Sequence, residues 1–240
     1  MEFSIAVVGH HKRGESADNL IKQVGGDVVA FDPGDVGCEL NHIVAWEYVG
    51  DSNSEWGVVL EDDAISITDF RQQLGQALKY APTPVVSLYL GRGRPPHYQD
   101  SIAQVISSDA SFIVSKKLLS CVGVCIHRDY IPDMSGSVRR RWKWEQRRRP
   151  SDASPIDEMM SDWCESLELS VSYTNPSLVQ HADGPTLLDF HLSKYKEEDM
   201  SSRNERRVAW RMGGRSKWDN SCIALPAPGE LILTQVNKWP

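Results

Sequence analysis

The chain has 240 residues, which suits one substantial α/β domain or one domain with an appendage. No apolar run approaches the roughly 20 residues of a membrane span, and no basic segment followed by a hydrophobic stretch opens the chain, so neither membrane insertion nor a secretory leader is expected. Five cysteines (Cys38, Cys121, Cys125, Cys164, Cys222) are an odd number without zinc-type pairs, which points to reduced, buried thiols in a cytoplasmic protein, host cytoplasm if phage-encoded.

Taken in order, Ile5 to Val8 reads as a buried strand ending in the polar loop Gly9 to Gly14. A short helix over Ser16 to Val24 and a strand over Asp27 to Phe31 follow. The turn Asp32-Pro33-Gly34 leads to a helix over Cys38 to Tyr48. Gly57 to Leu60 is a short apolar run suited to a strand covered on both faces. A helix is expected from Thr68, as N-cap, to Tyr80. Val85 to Leu90 is the next strand, closed by the loop Gly91 to Pro96. Strands at Ala110 to Val114 and Val122 to Ile126 flank a short helix at Lys116 to Ser120. After a basic stretch, Ser154 to Leu167 reads as a helix and Leu169 to Tyr173 as a strand. Tyr195 to Arg211 reads as a charged helix, and the last thirty residues as an extended tail. This alternation argues for an α/β fold, a mostly parallel central sheet with helices on both faces. The expected division is a catalytic domain over 1–190 and a basic helix with tail over 191–240 packed on it. No internal repeat or low-complexity segment is present.

Three carboxylates, Glu61, Asp62 and Asp63, follow the Gly57 to Leu60 strand without a break. In an open α/β sheet the carboxyl edge is where ligands bind. Like charges held this close suggest a compensating cation, and hard oxygen donors suit Mg²⁺ or Mn²⁺. A solvated acidic turn fits the spacing equally. One helix earlier stands Gly37-Cys38-Glu39-Leu40-Asn41-His42-Ile43-Val44-Ala45-Trp46. The order G-C-x-L-x-H-x-x-A-W and then V-x-L-E-D-D resembles the family 25 glycosyltransferases, which add sugars to lipooligosaccharides and collagen, and the related glycosyltransferases of bacteriophages. The family usually has Ser where this chain has Asn41.

The resemblance implies a GT-A-like, Rossmann-like catalytic domain and assigns roles by position. The loop after the first strand would meet the donor nucleotide through His11 and Arg13. Glu61-Asp62-Asp63 would stand for the D-x-D-type motif. Glu61 and Asp63 would be its outer, metal-facing pair, with Asp62 on ribose or its own backbone. The block Pro176-Ser177-Leu178-Val179-Gln180-His181 matches one near the end of such domains, so His181 would complete the metal or diphosphate site; a structural histidine is the plainer account. In Ser154-Pro155-Ile156-Asp157-Glu158, Ser and Pro are start signals for a helix, and acids in a first turn favour its dipole. An inverting transferase also needs a base there, Asp157 first and Glu158 second.

The charge of −7 is segregated. Residues 139–149 sum to +6 and residues 203–217 to +5, leaving −18 for the rest. The first segment interleaves Arg139, Arg140, Arg141, Trp142, Lys143, Trp144 and Arg147, the mixture that binds phosphates and stacks on unpaired bases. A solvated loop paired with surplus acids, or a site for an anionic glycan, fits too. The combined expectation is a metal-dependent hexosyltransferase, inverting, that moves sugar from a UDP-sugar to a hydroxymethylated pyrimidine in phage DNA. Alternatives are a lipopolysaccharide transferase, a non-catalytic nucleic-acid-binding module and a sugar nucleotidyltransferase; the last would show a Gly-rich loop near the first strand.

Overall fold

The computed structural model describes residues 1–148, 154–182 and 207–230. Within them the elements are β1 (Phe3–His10), α1 (Gly14–Val24), β2 (Val28–Asp32), α2 (Cys38–Gly50), β3 (Trp56–Glu61), β4 (Ala64–Ser66), α3 (Phe70–Lys79) and β5 (Val85–Ser87). Then come α4 (Gln99–Val105), β6 (Phe112–Ser115), β7 (Gly123–His127), α5 (Ile131–Arg148), α6 (Ile156–Ser166), β8 (Val171–Thr174), β9 (Val179–His181) and β10 (Cys222–Ala224).

Eight strands form one sheet in the order β10-β6-β8-β5-β7-β3-β1-β2. β2, β1, β3, β5 and β8 run one way; β7, β6 and β10 run the other. The fold is therefore α/β with a mostly parallel central sheet. Side chains alternate across it with period two. Ile5, Val7, Val58 and Leu60 join Leu20 of α1 and Leu74 of α3 in one core; Ala6, Val8 and Val59 join Trp46 of α2, Met134 of α5 and Met159 of α6 in the other. β3 is buried on both faces, which is why its sequence is a continuous apolar run.

β4 and β9 make a separate antiparallel ribbon, Ala64 opposite His181 and Ser66 opposite Val179. This ribbon decides the site, because it lays His181 beside the acidic turn although 118 residues separate it from Asp63 in sequence. The amide of Ala182 donates to the carbonyl of Asp63 at 2.7 Å.

Several expectations are corrected. α3 begins at Phe70, after Asp69 in a left-handed conformation (φ 58°), so Thr68 is not its cap. β5 ends at Ser87 rather than Leu90, since Leu90 donates instead to the Ser177 hydroxyl. Lys116 to Ser120 is not helical; Leu118 and Leu119 donate to Ser161 and Tyr173 side chains. The short helix α4 had no anticipated counterpart. Ser154 does not cap α6; its amide and hydroxyl both go to Glu145. The basic stretch is the second half of an 18-residue helix, not a loop. Residues 207–211 form bends with one isolated bridge, Ala209 to Gly91, rather than a helix, and the rest of that expected helix lies outside the described residues. The tail contributes β10, an edge strand parallel to β6.

Candidate active site

The carboxyl ends of β1 and β3 lie side by side because the two strands pair in parallel, Val8 opposite Glu61. Asp62, 8% exposed, accepts the His10 amide at 3.0 Å and so fixes the loop that leaves β1. Arg13, on that loop, places one nitrogen 3.0 Å from Asp62 Oδ1 and 2.6 Å from Asp63 Oδ2. Burial opposes the guanidinium charge, but Asp63 and Asp62 outweigh it and hold the arginine more firmly protonated. Burial pushes the Asp62 carboxyl up, against the pull of Arg13. The cation implied by the triplet is thus supplied, in part, by the protein.

Glu61 turns the other way, toward α2. Its Oε1 lies 3.3 Å from Nε2 of the fully buried His42. Burial resists ionisation of Glu61, yet His42, His181 and Arg13 together bring its carboxyl below the ordinary range. Asp157, in the first turn of α6, feels the Glu61 charge. Burial, and then the charge of Glu61, push its carboxyl up to about 6. Glu158 is exposed, and its amide donates to Asp157 Oδ1 at 2.9 Å. The chain therefore brings Asp157, not Glu158, to the electrostatic neighbourhood of the lip.

His181 Nδ1 donates to the carbonyl of Ala182 at 2.7 Å, which leaves Nε2 as the acceptor nitrogen. That nitrogen lies 3.7 Å from Asp63 Oδ2 and 3.3 Å from an Arg207 nitrogen. Asp63 Oδ1 is buried with no hydrogen-bond partner. A backbone-oriented imidazole, its second nitrogen held only by Arg207 and close to a carboxylate with one unsatisfied oxygen, is the donor chemistry a divalent ion takes. The fit is for two protein ligands, Asp63 and His181, with the remaining positions left to substrate and water. Among the described residues no group of three His, Cys, Asp or Glu could hold an ion, and Glu61 faces His42 instead.

Other expected residues lie elsewhere. His11 is exposed, its ring 4.2 Å from that of His10 and packed on Gly34. Arg139 forks onto Glu47 of α2 at 2.9 and 2.6 Å. Arg141 pairs with Glu145 and Asp162, and Trp142 packs against the core. These three have partners within the fold, whereas Arg140, Lys143, Trp144 and Arg147 are exposed.

Four contributors were not anticipated. Asp32 accepts the amides of Gly34, Asp35, Val36 and Gly37 and shapes the turn into α2. Asn41 donates to the carbonyls of Gly9 and Ala30, clasping β1 to β2; the larger amide in place of the family's Ser makes both bonds. Cys38 stands among Glu61, Glu39 and Asp157, and burial with these charges keeps its thiol protonated. Arg207 comes from the last segment, held by Tyr89, whose hydroxyl donates to its carbonyl. Only Asn41 gave a signal in sequence, as the departure from the family pattern.

Residues 29–118 match the family model Glycosyltransferase family 25 (LPS biosynthesis protein). The chain resembles that family. The matched segment contains the Gly37 to Trp46 and Glu61 to Asp63 blocks; the Asp157 and His181 blocks lie beyond it. The match supports a glycosyltransferase. Among the curated proteins nothing matches. Similar solved structures include a protein from STIV (12% identity, TM-score 0.43, 78% of this chain and 87% of that one). Another is a glycosyltransferase involved in the glycosylation of the major capsid of PBCV-1 (9%, 0.43, 84% and 99%). A third is the glycosyltransferase GlyE of Streptococcus pneumoniae TIGR4 (9%, 0.36, 71% and 44%). No helix among the described residues is long and apolar enough to cross a membrane.

Proposed function

We propose that the protein is a metal-dependent transferase that moves a hexose from a UDP-sugar to a hydroxyl acceptor with inversion. The observation that carries this reading is His181 Nε2 standing 3.7 Å from Oδ2 of Asp63, a carboxylate whose other oxygen is buried and unsatisfied, at the carboxyl edge of the sheet in a chain matched by a glycosyltransferase family. When bound, Mn²⁺ or Mg²⁺ would neutralise the diphosphate as it leaves the sugar. The chain's own residues do the rest. Arg13 and Arg207 flank the two ligands and offer guanidinium forks to the diphosphate oxygens. Asp62 orders the β1 loop against which the nucleotide would lie. Asp157, in its ionised form, takes the proton from the acceptor hydroxyl as that oxygen attacks the anomeric carbon.

The acceptor in this reading is a hydroxymethylated base in phage DNA, supported by the exposed cations of α5. A second reading, a saccharide acceptor, is favoured by the matched family's description as an LPS biosynthesis protein. UDP release from a panel of UDP-sugars, with Mn²⁺ and with chelator, tests the donor half. Labelled transfer to hydroxymethylated DNA, unmodified DNA and lipooligosaccharide tests the acceptor half. Transfer to saccharide alone removes DNA from the account; no UDP release with any sugar removes catalysis and leaves a binding module.

A further inference from the structure

The outer face of α5 holds chemistry that the transfer site does not use. β7 runs antiparallel to β3, so its last residue, His127, pairs with Trp56 at the sheet edge opposite Glu61. α5 starts at that far edge, where Ile131 packs on Gly57. Eighteen residues rising ~1.5 Å each carry it about 27 Å back toward the acidic lip. It arrives there, because Glu145 accepts the Ser154 amide at 2.6 Å, three residues before Asp157.

The helix is two-sided. Met134, Val138 and Glu145 are buried, and Trp142 packs beside them. Arg140, Lys143, Trp144, Arg147 and Arg148 are exposed at the i, i+3, i+4, i+7, i+8 spacing of one face, and they line a groove of about 360 Å³. The described ion pairs of α5 belong to Arg139 and Arg141, so those four outer cations face no described carboxylate. Trp144 is 47% exposed, with the Arg148 guanidinium 4.5 Å from its ring centre.

We propose that this face docks a single strand of nucleic acid and leads it to the Asp157 edge. The row from Arg140 to Arg147 spans about 10 Å along the helix, enough to meet successive backbone phosphates of one strand. Charge alone would suit any polyanion. An exposed tryptophan within the row selects unpaired bases, because a duplex keeps its base faces stacked and a sulfated glycan has none. The inference builds on the DNA-acceptor reading, but its test needs no donor.

Anisotropy with the full chain would compare a labelled oligo-dT, a duplex of equal length and a heparin oligosaccharide across a salt series. The oligo-dT is expected to bind tightest. Trp144→Ala should weaken oligo-dT about tenfold or more while leaving heparin unchanged. Arg140→Glu with Arg147→Glu should weaken every ligand and flatten the oligo-dT salt dependence by one or two phosphate contacts. These side chains are exposed, and unchanged melting of each variant would exclude misfolding. Equal affinity for heparin or duplex together with an inert Trp144→Ala overturns the proposal, as does no binding at all. UDP release by the wild-type chain is scored separately: release without strand binding removes this face and spares the transferase, and strand binding without release does the reverse.

Discussion

Asp157 is the residue whose chemistry is most exposed to test. Its carboxyl rises from 3.8 to about 6, through burial and the Glu61 charge, so the proton leaves only as pH passes that value. A base must be ionised, and transfer should therefore climb through about pH 6 in a pH–rate profile, while Asp157→Asn should lose transfer and keep UDP binding. The stability sign is opposite. The folded chain holds this proton more tightly than the unfolded one, so ionisation lowers stability as pH rises from about 4 to about 6. Asp157→Asn should accordingly raise the melting temperature at pH 8, by about 2–4 °C for each kcal/mol relieved, and change little at pH 4. Arg13 gives a second check. Removing it leaves Asp62 and Asp63 without their nearest cation, and Arg13→Ala should cost about 1–3 kcal/mol, discounted for partial exposure. If the lip takes a divalent ion, Mn²⁺ should restore more stability to Arg13→Ala than it adds to wild type in a thermal melt.

At the scale of elements, α5 shows why similar side chains serve different ends. Glu145 is buried and accepts Arg141, the Ser154 amide and the Ser154 hydroxyl, and these bonds bring its carboxyl below the ordinary range despite burial. Glu145→Ala should cost about 2–4 kcal/mol in urea unfolding, because it leaves the Ser154 amide without its acceptor and takes from Arg141 one of its two carboxylates. Arg139→Ala breaks only a half-exposed pair with Glu47 and should cost about 1 kcal/mol or less. In sequence only the four-residue spacing of Arg141 and Glu145 could separate these arginines, since Glu47 and Asp162 are remote along the chain. The helix itself was legible in principle: Met134, Val138, Trp142 and Glu145 recur every three or four residues, but the charge of the segment obscured that period. The strands were easier. β1, β3 and β7 are unbroken apolar runs, and a run covered on both faces has no other fate in a chain of this kind. The acidic lip followed from where β3 stops. The β4–β9 ribbon, two strands of three residues, carries too short a pattern to announce itself, so only the resemblance pointed to His181.

Across the whole molecule, the sheet keeps two cores apart and leaves one edge for chemistry. The closing segment secures that arrangement rather than trailing from it. Arg215 donates to the carbonyls of Asp109, Ala110 and Asn175, and Trp218 is buried against Phe112 with its indole nitrogen on Gln73. The second basic segment is thus, at Arg215, a clamp on loops and not a phosphate site. Trp218→Ala should cost about 3–5 kcal/mol in thermal or urea unfolding, the range for a large aromatic removed from a core. The composition of this segment, rich in Gly and Pro, hid the clamp, because its bonds are made by single side chains to distant carbonyls.

All of this turns on whether the lip of β3 grips a nucleotide through a divalent ion. Calorimetric titration of UDP into wild type and Asp63→Ala, each with Mn²⁺ and with chelator, asks it directly. The account predicts binding by wild type with Mn²⁺, lost with chelator and lost in Asp63→Ala. Equal UDP affinity in all four titrations, or none in any, would contradict it.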